Sequence, residues 1–229
     1  MKFRNLASAL ALTLVGLFGA SVQAATIFTP GDPIVAIWNT TASGNSTAST
    51  AGTTAAGQYP AGEAAPLAID GLSTTKYLNF GGGGGGGVST ASKGLGTGFY
   101  ITPTVTDSIV QSFQFTAAND APLRDPLSIT IEGSNGGALD QGASWTLIYS
   151  GTTGLDTDPG RFLPGALVPV TGNVTMYDSY RVLVTSQRGV ANSVQYADVQ
   201  FFGVPEPTSI VLAGIAGIAL LGFARRRTA

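Results

Sequence analysis

Residues 25–203 predict an all-β fold, an antiparallel jelly-roll sandwich, and three observations predict it. Apolar residues come in short bursts with alternate positions apolar: Phe113 and Phe115 flank Gln114, Ile129 and Ile131 flank Thr130, and Val199 and Phe201 flank Gln200. Successive side chains of a strand point to opposite faces, so this spacing buries one face of each. Turn-forming clusters separate the bursts, among them Asn119-Asp120-Ala121-Pro122, Gly133-Ser134-Asn135-Gly136-Gly137 and Thr157-Asp158-Pro159-Gly160. No helical stripe of apolar residues recurs between them, which leaves sandwiches and jelly rolls as the architectures.

In chain order, Lys2 and Arg4 precede an apolar run over residues 6–20, and Val22-Gln23-Ala24 supplies the small-x-small pattern that signal peptidase accepts. Residues 1–24 are therefore expected to be a signal peptide cut after Ala24. The first candidate strand is 34–38, which ends on Trp38. Residues 40–57 are rich in Ser, Thr, Ala and Gly and have no large apolar side chain, so burial cannot offset their ordering entropy and a surface loop is expected. Gly81 opens a run of seven glycines, read as a tolerated expansion at a loop tip, with a mobile loop over a binding face as the alternative. The remaining candidate strands are 99–102, 109–116, 128–133, 145–150, 180–185 and 194–202. Asn39-Thr40-Thr41, Asn45-Ser46-Thr47 and Asn173-Val174-Thr175 match the glycosylation sequon, as chance allows in so Thr-rich a chain.

The 229 residues are only 10% charged, and the charge is unevenly placed. Lys2, Arg4, Arg225, Arg226 and Arg227 lie in the two ends; residues 25–203 hold six basic against twelve acidic side chains, a net −6. Such a surface repels phosphate backbones, so nucleic acid is excluded as a partner and multivalent cations suit it better. The chain has no Cys and no His, which removes disulfides, thiolate nucleophiles, Cys/His zinc sites and histidine general bases. An enzyme built from this chain would have to run on carboxylates. Glu132 in a strand and Asp156 with Asp158 in a loop have no partner at a telling spacing, and a glycoside hydrolase would need two acids converging in one cleft. They are read as solvated acids, and no enzymatic activity is expected.

At the C-terminus Val204-Pro205-Glu206-Pro207 precedes an uninterrupted run of 15 apolar or Gly residues over 210–224, followed at once by Arg225, Arg226 and Arg227. This three-part tail, residues 204–229, resembles the PEP-CTERM sorting signal of Gram-negative bacteria. The run falls short of the ~20 residues that span a bilayer, so flanking residues would join the transmembrane helix, with the arginines on the cytoplasmic side. The resemblance implies an exosortase that cuts or transfers the chain at the motif. It also implies inner-membrane anchoring before processing, display at the cell surface or in the extracellular matrix, and an association with exopolysaccharide or biofilm. The simpler alternative is a plain C-terminal membrane anchor.

The core resembles the discoidin, or coagulation factor 5/8 type C, family of the galactose-binding-like superfamily. The resemblance rests on Tyr59-Pro60-Ala61-Gly62-Glu63, Ala68-Ile69-Asp70-Gly71 with Thr75-Lys76-Tyr77, Phe115-Thr116-Ala117-Ala118-Asn119-Asp120, Arg124-Asp125-Pro126, Ile131-Glu132-Gly133-Ser134-Asn135, Trp145, and Ala197-Asp198-Val199-Gln200-Phe201-Phe202-Gly203. It covers residues 59–203 best and implies an eight-stranded jelly roll. In that family the segment matching Ala68 to Tyr77 forms a calcium loop. Carried onto this chain, the ligands would be Asp70, Thr75, the carbonyls of Ala68 and Leu72, and Asp198 where the family usually has Glu. Oxygen donors of this kind suit calcium. The competing possibility is a metal-free turn in which the Asp70 carboxylate accepts backbone N–H bonds. Arg124, between Asp120 and Asp125, either faces a ligand or braces its loop through an ion pair. Trp38, Trp145, Tyr77 and Tyr100 could stack on a sugar, although large aromatics in strands usually belong to the core. The function expected is a non-catalytic, carbohydrate-binding surface module with an extracellular glycan as partner; the alternative is a structural matrix or adhesion protein without glycan specificity.

Overall fold

The computed structural model describes residues 25–84, 91–104 and 108–205. The expected signal peptide, Glu206, Pro207 and the apolar run with its arginines lie outside the described residues. In chain order the strands are β1 (Ala25–Thr26), β2 (Ile34–Trp38), β3 (Thr47–Ala48), β4 (Thr50–Ala51), β5 (Gln58–Tyr59), β6 (Tyr77–Asn79), β7 (Gly98–Ile101), β8 (Ser108–Thr116), β9 (Pro126–Ser134), β10 (Thr146–Thr152), β11 (Val168–Pro169), β12 (Ser179–Gln187), β13 (Val194–Tyr196) and β14 (Asp198–Pro205). Helix among the described residues is confined to short 3₁₀ turns, such as Ala65–Ala68 and Pro122–Arg124.

Two sheets carry the fold, one ordered β1-β14-β8-β11 and the other β10-β9-β12-β7-β2-β3. Pairing within both is antiparallel, and the chain is a β-sandwich. The alternation in the sequence decides which side chains meet between the sheets. Phe113, Phe115, Val199 and Phe201 face Phe99, Ile101, Ile129, Ile131, Tyr180, Val182 and Val184, all essentially without solvent contact. Phe28 stacks on Phe201 at 4.3 Å between ring centroids and meets Tyr180 and Phe99 edge-on. Each fully buried side chain of this size is worth roughly 1.5–3 kcal/mol, so the layer between the sheets is the main source of stability.

Three expectations need correction. The single strand expected over 194–202 is two, because the chain changes partner at Ala197: β13 pairs with β6 and β14 with β8. Residues 40–57 are not a free surface loop, since β3 extends the six-stranded sheet and β4 pairs in parallel with β5. Polar bonds to distant residues order this segment in place of apolar burial: the Ser43 N–H donates to Glu132 Oε1, and the Gly44 carbonyl and Ser46 hydroxyl accept from Arg181 Nη1. The first glycine of the tract is packed, not idle, although Gly82 next to it is open. Gly81 adopts φ +54°, and a Cβ there would lie 2.0 Å from the Lys93 carbonyl oxygen, so only glycine fits the approach.

Both ends of the sandwich chain lie together. Ala25 pairs with Gly203 in β14, and Pro205, first residue of the expected sorting motif, pairs with Ser108. The start of β14, at Asp198, pairs with Thr116 at the opposite end of β8. Eight residues of strand set these two ends roughly 25 Å apart.

Candidate functional site

Antiparallel pairing gathers the end of β8, the start of β9, the ends of β10 and β12 and the start of β14 at the end of the sandwich remote from Ala25 and Pro205. Four loop segments meet there: residues 61–76, 117–125, 153–167 and 188–193. Lys76 ties the first to the second, with its ammonium 3.0 Å from Asp120 Oδ1, 3.5 Å from Glu63 Oε1 and 3.2 Å from the Gln195 side-chain oxygen.

The structure brings Asp70, Leu72, Thr75 and Asp198 together. Asp70 accepts the Leu72 N–H at 2.9 Å and the Thr75 hydroxyl at 2.7 Å, while Asp198 Oδ1 accepts the Gly71 N–H at 3.1 Å. The Thr75 hydroxyl is also 3.2 Å from the Leu72 carbonyl oxygen. Ala68 is buried at the end of the preceding 3₁₀ turn. The Asx turn foreseen for Asp70 is thus formed. Its donor set also fits calcium in kind: carboxylate, hydroxyl and carbonyl oxygens with no nitrogen or sulfur. Burial pushes the Asp198 carboxyl up to about 6, and the neighbouring Asp70 carboxylate adds to the push although N–H bonds from Gly71 and Val199 oppose it. Two carboxylates that repel each other in this way are an arrangement a cation would relieve. Among the described residues no three His, Cys, Asp or Glu side chains converge. A metal here would therefore draw on the hydroxyl and carbonyl oxygens as well.

The brace considered for Arg124 is made by other residues. Asp125 is fully buried, and Arg161 grips it bidentately at 2.8 and 2.7 Å while Arg188 Nε stands 3.4 Å from Oδ2. Arg161 also holds Asp158 at 2.7 Å, and Arg188 donates to the carbonyls of Leu155 and Asp156. One buried carboxylate thereby knits three loops, and the charged partners sit in reach of one another in the way that makes such pairs effective. The Arg124 side chain makes no hydrogen bond or ion pair among the described residues, which leaves its guanidinium available.

Phe162, next to Arg161, escaped the sequence reading. It is 42% exposed and holds φ +64°, a left-handed backbone that bulky residues rarely adopt. Its N–H donates to the Ala117 carbonyl at 3.1 Å, which helps fix the conformation and holds its backbone beside the start of the 117–125 loop. Asp158-Pro159-Gly160 was recognised as a turn, but nothing in the local sequence marks the next aromatic as outward. The aromatics singled out earlier lie elsewhere. Tyr77 and Trp145 are buried, Trp38 has the Gly57 backbone against its ring, and Tyr100 packs near Trp145.

Glu132 is not a solvated acid. It is completely buried with Arg181, which donates from Nε at 2.7 Å, and the Arg181 guanidinium lies 4.8 Å from the centre of the Trp145 ring. Asp156 and Asp158 do not face one another as a pair: Asp156 accepts the Thr152 hydroxyl and Asp158 is bound to Arg161.

No family model matches the chain, and no curated protein does. Solved structures do. The family 32 carbohydrate-binding module of Clostridium perfringens NanJ in complex with galactose is 15% identical with a TM-score of 0.43, over 63% of this chain and 88% of that one. The family 32 module of Streptococcus pneumoniae EndoD is 12% identical with a TM-score of 0.46, over 78% and 99%. An F5/8 type C domain from Bacteroides fragilis is 14% identical with a TM-score of 0.42, over 63% and 83%. No helix among the described residues is long and apolar enough to cross a membrane.

Proposed function

We propose that the chain is an exported, non-catalytic carbohydrate-binding protein that uses the loop end of its sandwich to hold a glycan of the extracellular matrix. The observation that carries this is Phe162, a solvent-exposed ring held on a strained backbone beside Arg161 and Asp158. Sugar rings present C–H faces that stack on aromatics and hydroxyls that bond to planar polar groups, and a few fixed polar groups around an apolar platform are what a saccharide site requires. Arg124, on the adjoining loop, supplies a further donor. A purely structural matrix protein has no use for an exposed aromatic at this cost in backbone strain.

Calcium belongs to the same proposal. Asp70, Thr75, Asp198 and the carbonyls of Ala68 and Leu72 would hold it, and the ion would fix residues 61–76 against the start of β14 by neutralising the two carboxylates. Export and processing complete it: signal peptidase cuts after Ala24, and an exosortase acts at Pro205-Glu206-Pro207. With Ala25 and Pro205 at one end of the sandwich and Phe162 at the other, a chain held by its tail points its loops away from the membrane.

A glycan array tests the proposal, with the full-length chain in a zwitterionic, sugar-free detergent and both galactose-containing and producer-derived oligosaccharides displayed. Retention on at least one matrix glycan, weakened by Arg124→Ala, is expected. Absence of retention on every glycan would favour the structural role.

A further inference from the structure

A second concave surface lies on the side of the six-stranded sheet that faces away from the core, near the ends of β2 and β12 and bordering the 188–193 loop. It is a groove of about 340 Å³ with Leu183 and Thr185 of β12 in its floor, residues 39–42 as one wall and Leu95 with Gly96 as the other. This volume stands at the small end of the roughly 300–1,000 Å³ typical of ligand sites. The walls are fixed from below. Thr40 donates its N–H to the Gly96 carbonyl at 3.0 Å, and Gly96 donates to the Val184 carbonyl at 2.8 Å. Beyond residue 42 the chain is pinned by the buried Glu132–Arg181 pair through Ser43 and Gly44. Asn39 and Ser43, which bracket the wall, both hold left-handed backbones at φ +47° and +59°. Two strained non-glycine residues on either side of one short wall mark a segment whose shape is enforced by its surroundings.

The lining says what would fit. It contains no Asp, Glu, Lys or Arg, so a charged ligand has nothing to neutralise it. Leu95 is 43% exposed and Ala42 lies across the groove, which gives an aliphatic surface. Among the described residues the Asn39 amide and the Thr41 hydroxyl make no hydrogen bond, and both stand on the rim. Along the groove's floor and wall, Gly96 bonds through both N–H and carbonyl, and Val184 bonds to Gly96 and Thr97. At Gly96 and Val184 an extended peptide would find no free ladder group to pair with. A ligand recognised by aliphatic contact plus one amide and hydroxyls is a neutral polyhydroxylated ring.

We infer that this groove is a second saccharide site, which takes one neutral sugar unit of a glycan chain on Leu95 and Ala42 with Asn39 and Thr41 as its hydrogen-bonding partners. It shares no residue with the platform around Phe162 and stands whether or not Phe162 binds sugar. The test is leucine-methyl NMR of the full-length chain in sugar-free detergent, titrated separately with cellobiose, galactobiose and N,N′-diacetylchitobiose. Leu95 and Leu183 report the groove, while Leu123 and Leu163 report the loop end. Saturable shifts of Leu95 and Leu183 with at least one disaccharide are expected, and they should persist in Phe162→Ala. Asn39→Gly, which keeps the left-handed backbone and removes the amide, should weaken them about fivefold, in line with one lost hydrogen bond. Ala42→Phe, which fills the groove, should abolish them. Stationary Leu95 and Leu183 signals at saturating sugar overturn the groove site, whatever Leu163 does. Shifts with an uncharged Ser/Thr-rich peptide but with none of the sugars overturn it as well.

Discussion

Phe162 combines solvent exposure with a left-handed backbone, and Asp32 shows the opposite case, a charged group drawn inside. The Asp32 carboxylate is buried and accepts the N–H and hydroxyl of Thr29 and of Thr104, four bonds between 2.8 and 3.0 Å. Burial pushes its carboxyl up, and these four bonds together outweigh that push and hold it below the ordinary carboxylate range. A carboxyl lowered on folding contributes stability that is present above its unfolded value of about 3.9 and is lost as pH falls through the folded value. Asp32→Asn should therefore cost about 1–3 kcal/mol near pH 7 and remove part of the acid sensitivity, so that thermal melts of the two chains converge between pH 4 and pH 2. Melting curves that stay parallel over that range would deny Asp32 this role. Neither residue was legible as a special position beforehand. In the sequence Asp32 is only an acid before a proline, because its partner Thr104 is 72 residues away, and Phe162 is only an aromatic two residues past a turn.

Strands were legible where burial is one-sided. The alternation around Phe113, Ile129 and Val199 placed β8, β9 and β14 because each presents one dry face to the other sheet. It could not show that the far face of the six-stranded sheet is also covered. There Glu132 and Arg181 stand opposite one another in β9 and β12 and hold residues 43–46 over the sheet. Removal of one partner leaves an uncompensated buried charge, so Arg181→Met should cost about 3–5 kcal/mol in denaturant unfolding. The double change Glu132→Leu with Arg181→Met should cost clearly less than the sum of the singles, and strict additivity would mean the pair is not coupled. The loop over residues 68–77 was legible as a motif, but its two forms, turn and calcium site, share the same residues. If calcium binds only the folded chain, a hundredfold excess over Kd adds about 2.7 kcal/mol and raises Tm on the order of 5 °C. Asp70→Asn should abolish that rise; identical Tm values with chelator and with excess calcium would leave the loop a metal-free turn.

At the scale of the molecule, the division of labour follows from the topology. The strand pair β1 and β14 brings Ala25 and Pro205 to one side, and the connections between sheets collect the polar loops on the other. The tail could be read as a motif because its three parts are contiguous in the chain; the loop end could not be read as a unit, because its residues come from four separated loops. Processing at the motif predicts that Glu206→Ala accumulates a membrane-bound precursor, and mass spectrometry of the mature chain that still finds Arg225, Arg226 and Arg227 would contradict it. The central claim is that the loop end binds glycan through Phe162, and affinity electrophoresis tests it most directly, with the full-length chain and Phe162→Gly run through gels with and without the producer's exopolysaccharide. Glycine accepts the left-handed backbone without strain, so the variant loses the ring and keeps the fold. The unmodified chain should be retarded by the polysaccharide while Phe162→Gly migrates as it does in the plain gel. An unmodified chain that migrates freely, or a variant retarded to the same degree, would contradict the claim.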